Sequence, residues 1–97
     1  MSMVSFVVRF KFAPEDRAAI AESLRLLTAD SRLEPGCITY IPHVTQDDPG
    51  TVVIYEQYRD EQALAAHRET AHFKKYAVGH LFQRMKDRSV ENLIALV

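Results

Sequence analysis

Apolar and polar residues alternate from Met3 to Phe12. Val4, Phe6, Val8, Phe10 and Phe12 share one parity, and Ser5, Val7, Arg9 and Lys11 share the other. A period of two predicts a strand with one wholly apolar face and one mixed face. The period then changes. Ala13-Pro14-Glu15-Asp16 reads as a helix start: proline fits the first turn, and two carboxylates suit the positive end of the helix dipole. Ile20, Leu24 and Leu27 follow at i, i+4 and i+7, one buried stripe of a helix ending near Ser31 to Glu34. Pro35-Gly36 marks a turn.

Cys37 to Val44 and Thr51 to Tyr58 read as second and third strands, joined by the polar turn Gln46-Asp47-Asp48-Pro49-Gly50. Pro42 cannot donate to a ladder, so the second strand belongs at an edge, at a bulge or near its own end. Asp60 is an N-cap for a helix over Glu61 to Arg68. A further helical piece spans about Ala71 to Lys86, Asp87-Arg88 is a break, and Ser89 to Val97 reads as the last strand. The order βαββαβ predicts one α+β domain over residues 1–97: a ferredoxin-like, four-stranded antiparallel sheet with helices on one face. The other sheet face would expose Val7, Val53 and Tyr55, which predicts a homodimer packed through its sheet faces.

Composition narrows the function. The 97 residues carry 12 Lys+Arg against 13 Asp+Glu, a formal charge of −1. Such a balance argues against a nucleic-acid partner, which calls for a basic surface. No apolar run approaches a membrane span, and Met1-Ser2-Met3-Val4 does not begin a basic, then apolar, leader. Cys37 is the single cysteine, so no intramolecular disulfide forms; a reducing, cytoplasmic setting is expected.

Glu56 shares a strand face with Val52, Ile54 and Tyr58, so its carboxylate needs a partner or a proton. His67 on the following helix is the nearest candidate in sequence, and a Glu56–His67 hydrogen bond tying helix to sheet is expected. His72, Phe73, Tyr76 and His80 fall on one side of an ideal helix, where two histidines and two aromatics can line a pocket for a planar ligand or simply border a core. A metal site is not expected: on a continuous helix His67 and His72 point about 140° apart, and His72 and His80 lie about 12 Å apart along the axis. The three glycines are scattered, so no phosphate-binding loop exists.

Glu34-Pro35-Gly36-Cys37, Glu56-x-Tyr58, Ala63-Leu64-x-x-His67 and His72-Phe73 together resemble the antibiotic biosynthesis monooxygenase (ABM) domain superfamily. The resemblance implies a ferredoxin-like fold, a dimeric α+β barrel and a pocket between sheet and helices. It also implies oxidation of an aromatic quinol or anthrone by O₂ without metal, flavin or other cofactor. His67, His72 and Glu56 would then be catalytic, with Tyr58, Phe73, Tyr76 and Tyr40 against the substrate. The chain departs from the family pattern in having Tyr58 where Trp is common, and no Trp at all. It also lacks a first-strand Asn, against the haem-degrading branch. Two other readings fit the same residues: a non-catalytic, stress-related small-molecule binder, and a non-redox isomerase acting on a small metabolite.

Overall fold

The computed structural model describes residues 3–97; Met1 and Ser2, half of the start read above for a leader, lie outside the described residues. Four strands, β1 (Val4–Lys11), β2 (Cys37–Val44), β3 (Thr51–Tyr58) and β4 (Asp87–Leu93), form one antiparallel sheet in the order β2-β3-β1-β4. Helix α1 (Arg17–Ser31), entered through the tight turn Pro14–Asp16, and helix α2 (Glu61–Arg68) carry the two crossovers. After α2 comes a π-helix, Phe73–Leu81, which ends in the single turn α3 (Phe82–Arg84). This is the ferredoxin-like α+β architecture that the alternation predicts. Among the described residues no helix is long and apolar enough to cross a membrane.

The parity of β1 sets the layers. Phe6, Val8, Phe10 and Phe12 are buried beneath the helices, with Val52 and Ile54 of β3 beside them. Ile20, Leu24 and Leu27 of α1 close over this face, as the seven-residue stripe requires. The opposite face keeps Val7, Val53 and Tyr55 half-buried and Ile41 exposed. Pro42 sits on the edge strand β2, where its missing N–H costs the least. A bulge between Cys37 and Thr39 lets Ile38 drop out of register.

Two boundaries differ from the sequence pattern. The last strand is Asp87–Leu93 rather than Ser89–Val97, so the expected break at Asp87-Arg88 lies inside the ladder. The cause is the partner strand. Lys11, the last residue of β1, pairs with Asp87, and Ser5, next to its start, pairs with Leu93. The ladder with β1 stops at the Ser5–Leu93 pair, and Ile94 to Val97 lie outside the strand. The second difference is the π-helical winding of Phe73–Leu81, seen where the Phe82 N–H reaches back to the Ala77 carbonyl. Hydrophobic periodicity read at 100° per residue assigns faces wrongly over such a stretch.

Candidate functional site

Two local devices bring the polar residues together. Gly36 opens β2 directly beneath α2; a Cβ there would lie 2.3 Å from the Ala63 Cβ. Only glycine permits this approach, which carries the preceding Glu34 under the C-terminal end of α2. The second device is Thr70. Its hydroxyl donates to the His67 carbonyl at 2.7 Å, and accepts from the Phe73 N–H at 3.2 Å. One side chain thus ends α2 and starts the next helix, and the chain turns between His67 and His72.

Because of that turn, both imidazoles reach one carboxylate. His67 Nδ1 donates to Glu34 Oε2 at 2.8 Å, and His72 Nε2 donates to the same oxygen at 2.5 Å. Glu34 has only acceptors when ionised, so these two ring nitrogens carry the hydrogens. His67 is buried, with 2 % of its surface exposed. Burial holds its ring below the ordinary value of 6.5, against the upward pull of Glu34. A neutral ring with hydrogen on Nδ1 leaves a lone pair on Nε2, turned toward the interior. The expected Glu56–His67 hydrogen bond is absent: Nε2 lies 3.9 Å from Glu56 Oε1. The partner that sequence reading missed is Glu34, which sits 33 residues away in an aperiodic turn.

Glu56 is 6 % exposed. Burial pushes its carboxyl up to about 7, against the lowering effect of the Tyr58 hydroxyl. That hydroxyl donates to Glu56 Oε1 at 2.7 Å. Tyr58 and Tyr40 are both fully enclosed, and burial pushes both phenols up, away from ionisation. Three aromatic rings surround His67: Tyr58 at 5.1 Å, Tyr40 at 5.9 Å and Phe73, edge-on, at 5.1 Å.

These groups border a narrow interior space between sheet and helices, about 50 Å³, lined among others by Phe6, Tyr40, Glu56, His67, Phe73 and Phe82. Arg88 of β4 stacks its guanidinium over the Phe10 and Phe82 rings at the side of this space. An aromatic ligand needs Phe73, Phe82 and Arg88, none of them fully buried, to swing aside. A larger apolar groove, about 740 Å³, lies elsewhere, between α1 and the β2–β3 hairpin. Its one imidazole, His43, points Nδ1 at the Val53 carbonyl.

Of the residues expected at the site, His67, His72, Glu56, Tyr58, Tyr40 and Phe73 converge. Tyr76 does not: the π-helical winding takes it away from the interior space to the edge of the apolar core. His80, grouped with it by helical spacing, hydrogen-bonds Ser23 of α1 instead. The expected absence of a metal site rests on a continuous helix through His67 and His72, and no such helix exists. With the break at Thr70, donor atoms of Glu34, His67 and His72 all lie within 4.8 Å of one another.

The class this defines is a ferredoxin-like α+β chain that encloses an imidazole–carboxylate pair among aromatic rings. Comparison with known proteins then places it: the family model for antibiotic biosynthesis monooxygenases matches residues 3–78, and the chain belongs to that family. It is 34% identical over 85 residues to the "putative monooxygenase" Rv0793 of Mycobacterium tuberculosis, covering 86% of this chain and 83% of the relative. It is 31% identical over 74 residues to the "putative monooxygenase" YcnE of Bacillus subtilis, covering 76% and 78%. Among solved structures, a "putative antibiotic biosynthesis monooxygenase" from Nitrosomonas europaea superimposes with a TM-score of 0.90 at 27% identity, covering 97% of this chain and 90% of that one. Family and relatives together support a monooxygenase-like role.

Proposed function

We propose that the protein is a cofactor-independent monooxygenase acting on an electron-rich aromatic, of the quinol or anthrone type. The observation that carries this reading is His67: a neutral, buried imidazole held by Glu34 at Nδ1, with its free Nε2 facing an aromatic-lined interior. For an anthrone, Nε2 takes a proton from the methylene carbon flanked by the ring carbonyl. The resulting anion gives one electron to O₂, and the radical pair joins as a peroxide at that carbon. Loss of water, with the proton returned from His67, leaves a carbonyl. One oxygen atom enters the product and the other leaves as water. Protein groups need only bind, deprotonate and exclude solvent, and Glu34 acts here as a positioning residue for the base. Glu56, pushed up to about 7, holds a proton through part of the neutral range and can donate to a substrate oxygen.

The test is O₂ uptake by the purified protein across a panel of anthrones and naphthoquinols. Uptake above the protein-free rate that falls with His67→Ala supports the reading, and uptake at the protein-free rate across the panel overturns it. Two proton-carrying groups, Glu56 and His67, facing each other across 3.9 Å favour a second reading: proton transfer on a small metabolite without oxygen. Turnover that persists under argon selects it. We also propose that a second copy covers the open sheet face, because Val7, Val53, Tyr55 and Ile41 leave apolar surface there. Val53→Asp then converts a dimer into a monomer in light scattering; a wild-type protein that is monomeric throughout contradicts it.

A further inference from the structure

We propose that Glu34, His67 and His72 form a binding site for a divalent transition-metal ion, with zinc the best match, and that occupancy switches His67 off as a base. Three observations converge on it. First, the donors are two imidazole nitrogens and one carboxylate oxygen, all within 4.8 Å of one another. Mixed imidazole–carboxylate sets suit Zn²⁺, with ligand bonds of about 2.1 Å and a fourth position left for water. Second, the present contacts of 2.8 and 2.5 Å from the two rings to Glu34 Oε2 are those of hydrogen bonds. Ligand atoms around tetrahedral zinc sit about 3.3 Å apart, so each ring has to retreat by less than about 1 Å. His72 stands immediately after the turn at Thr70, where the chain can accommodate such a shift. Third, access differs among the ligands. The His67 side chain is 2% exposed, whereas those of Glu34 and His72 are 12% and 17% exposed. An ion can therefore enter from the His72 side and meet a ligand already fixed by the core.

The two states of the cluster exclude one another. Without metal, both rings present N–H to Glu34, and His67 keeps its Nε2 lone pair for the interior. With metal, Nδ1 of His67 and Nε2 of His72 must supply lone pairs. Each of those nitrogens gives up its hydrogen, and on the neutral His67 ring that hydrogen moves to Nε2. Hydrogen on Nε2 of His67 faces Glu56 Oε1, 3.9 Å away, as the carboxylate behind a metal-bound imidazole. A ring in that state can donate a hydrogen bond to the interior but cannot take a proton from it.

The binding claim stands independently of the oxygenase reading; only its effect on turnover rests on it. Calorimetric titration of the full chain with zinc chloride should give one ion per chain. His72→Ala and Glu34→Gln should each weaken binding at least about tenfold, with melting curves reporting that both variants fold. His43→Ala, at an exposed imidazole outside the cluster, should bind as the wild type does. Nitrogen NMR of the zinc-loaded wild type should show His67 hydrogen on Nε2. Absence of one-to-one binding, or binding equally tight in folded His72→Ala and Glu34→Gln, overturns the proposal. If zinc binds as described but O₂ uptake was never present, the oxygenase reading fails and the site remains.

Discussion

The layer between sheet and helices has two ends built on the same strands but filled in opposite ways. At one end Phe12, Ile20, Leu24 and Val52 pack with no ionisable group among them. At the other, further along β3, the same face carries Glu56 and Tyr58, and α2 lays His67 over them. Burying a carboxyl and an imidazole costs free energy that aliphatic residues of similar size would not. The apolar end therefore carries more of the stability of the fold than the polar end does. Glu34 sharpens the contrast. It approaches from a turn, and its hydrogen bond to Nδ1 fixes one tautomer of His67 rather than adding to the core.

The largest effect that should separate the two ends is on turnover. With an oxidisable aromatic substrate, His67→Ala should lower the rate roughly a hundred- to ten-thousandfold, the usual worth of a positioned base. Its melting curve should stay cooperative. A variant with turnover within twofold of the wild type removes His67 from the chemistry. The mirror experiment is Ile20→Ala at the apolar end, away from the interior space. It should destabilise the protein by about 2–5 kcal/mol in denaturant unfolding. Activity per folded molecule should be preserved, and a selective loss of activity would break the division between the ends.

A smaller effect comes from Glu56 and pH. In the unfolded chain this carboxyl ionises near 4.5, whereas in the fold it ionises near about 7. Between those values the unfolded state has lost a proton that the native state keeps. Stability therefore falls as pH rises through the window, by on the order of 3 kcal/mol in all, and the contribution is flat above it. His67, held below 6.5, works in the opposite sense and weakens the fold as pH drops. Comparison with Glu56→Gln isolates the first contribution: the variant should gain on the wild type between pH 4.5 and 7. Parallel stability profiles for the two proteins would mean that Glu56 is solvated like a surface carboxylate.

Much of the apolar end is legible in the sequence. The parity of β1 and the stripe Ile20, Leu24, Leu27 read directly as buried faces, because burial imposes a period on each element. The polar end is legible only in part. Glu56 stands out as a carboxylate on an apolar face, and His67 as a neighbour on α2. Glu34 does not, because it lies in a turn where no periodicity marks which side chains point inward. Nor does the meeting of His67 with His72, since helical spacing places them on different sides unless the helix is broken. A signal existed in Thr70, a good N-cap just before a new helical run. The misplacement of Tyr76 had no such signal, because nothing in Phe73–Leu81 announces π-helical winding.

The central claim is that Glu34 holds His67 as a neutral ring with hydrogen on Nδ1 and its lone pair toward the interior. Nitrogen NMR of selectively labelled His67, followed across pH in the wild type and in Glu34→Gln, reads this directly. The account predicts the Nδ1–H form at pH 7, titration below 6.5, and a mixed or inverted tautomer in Glu34→Gln. Hydrogen on Nε2 at pH 7, or a ring still protonated above neutrality, would contradict it.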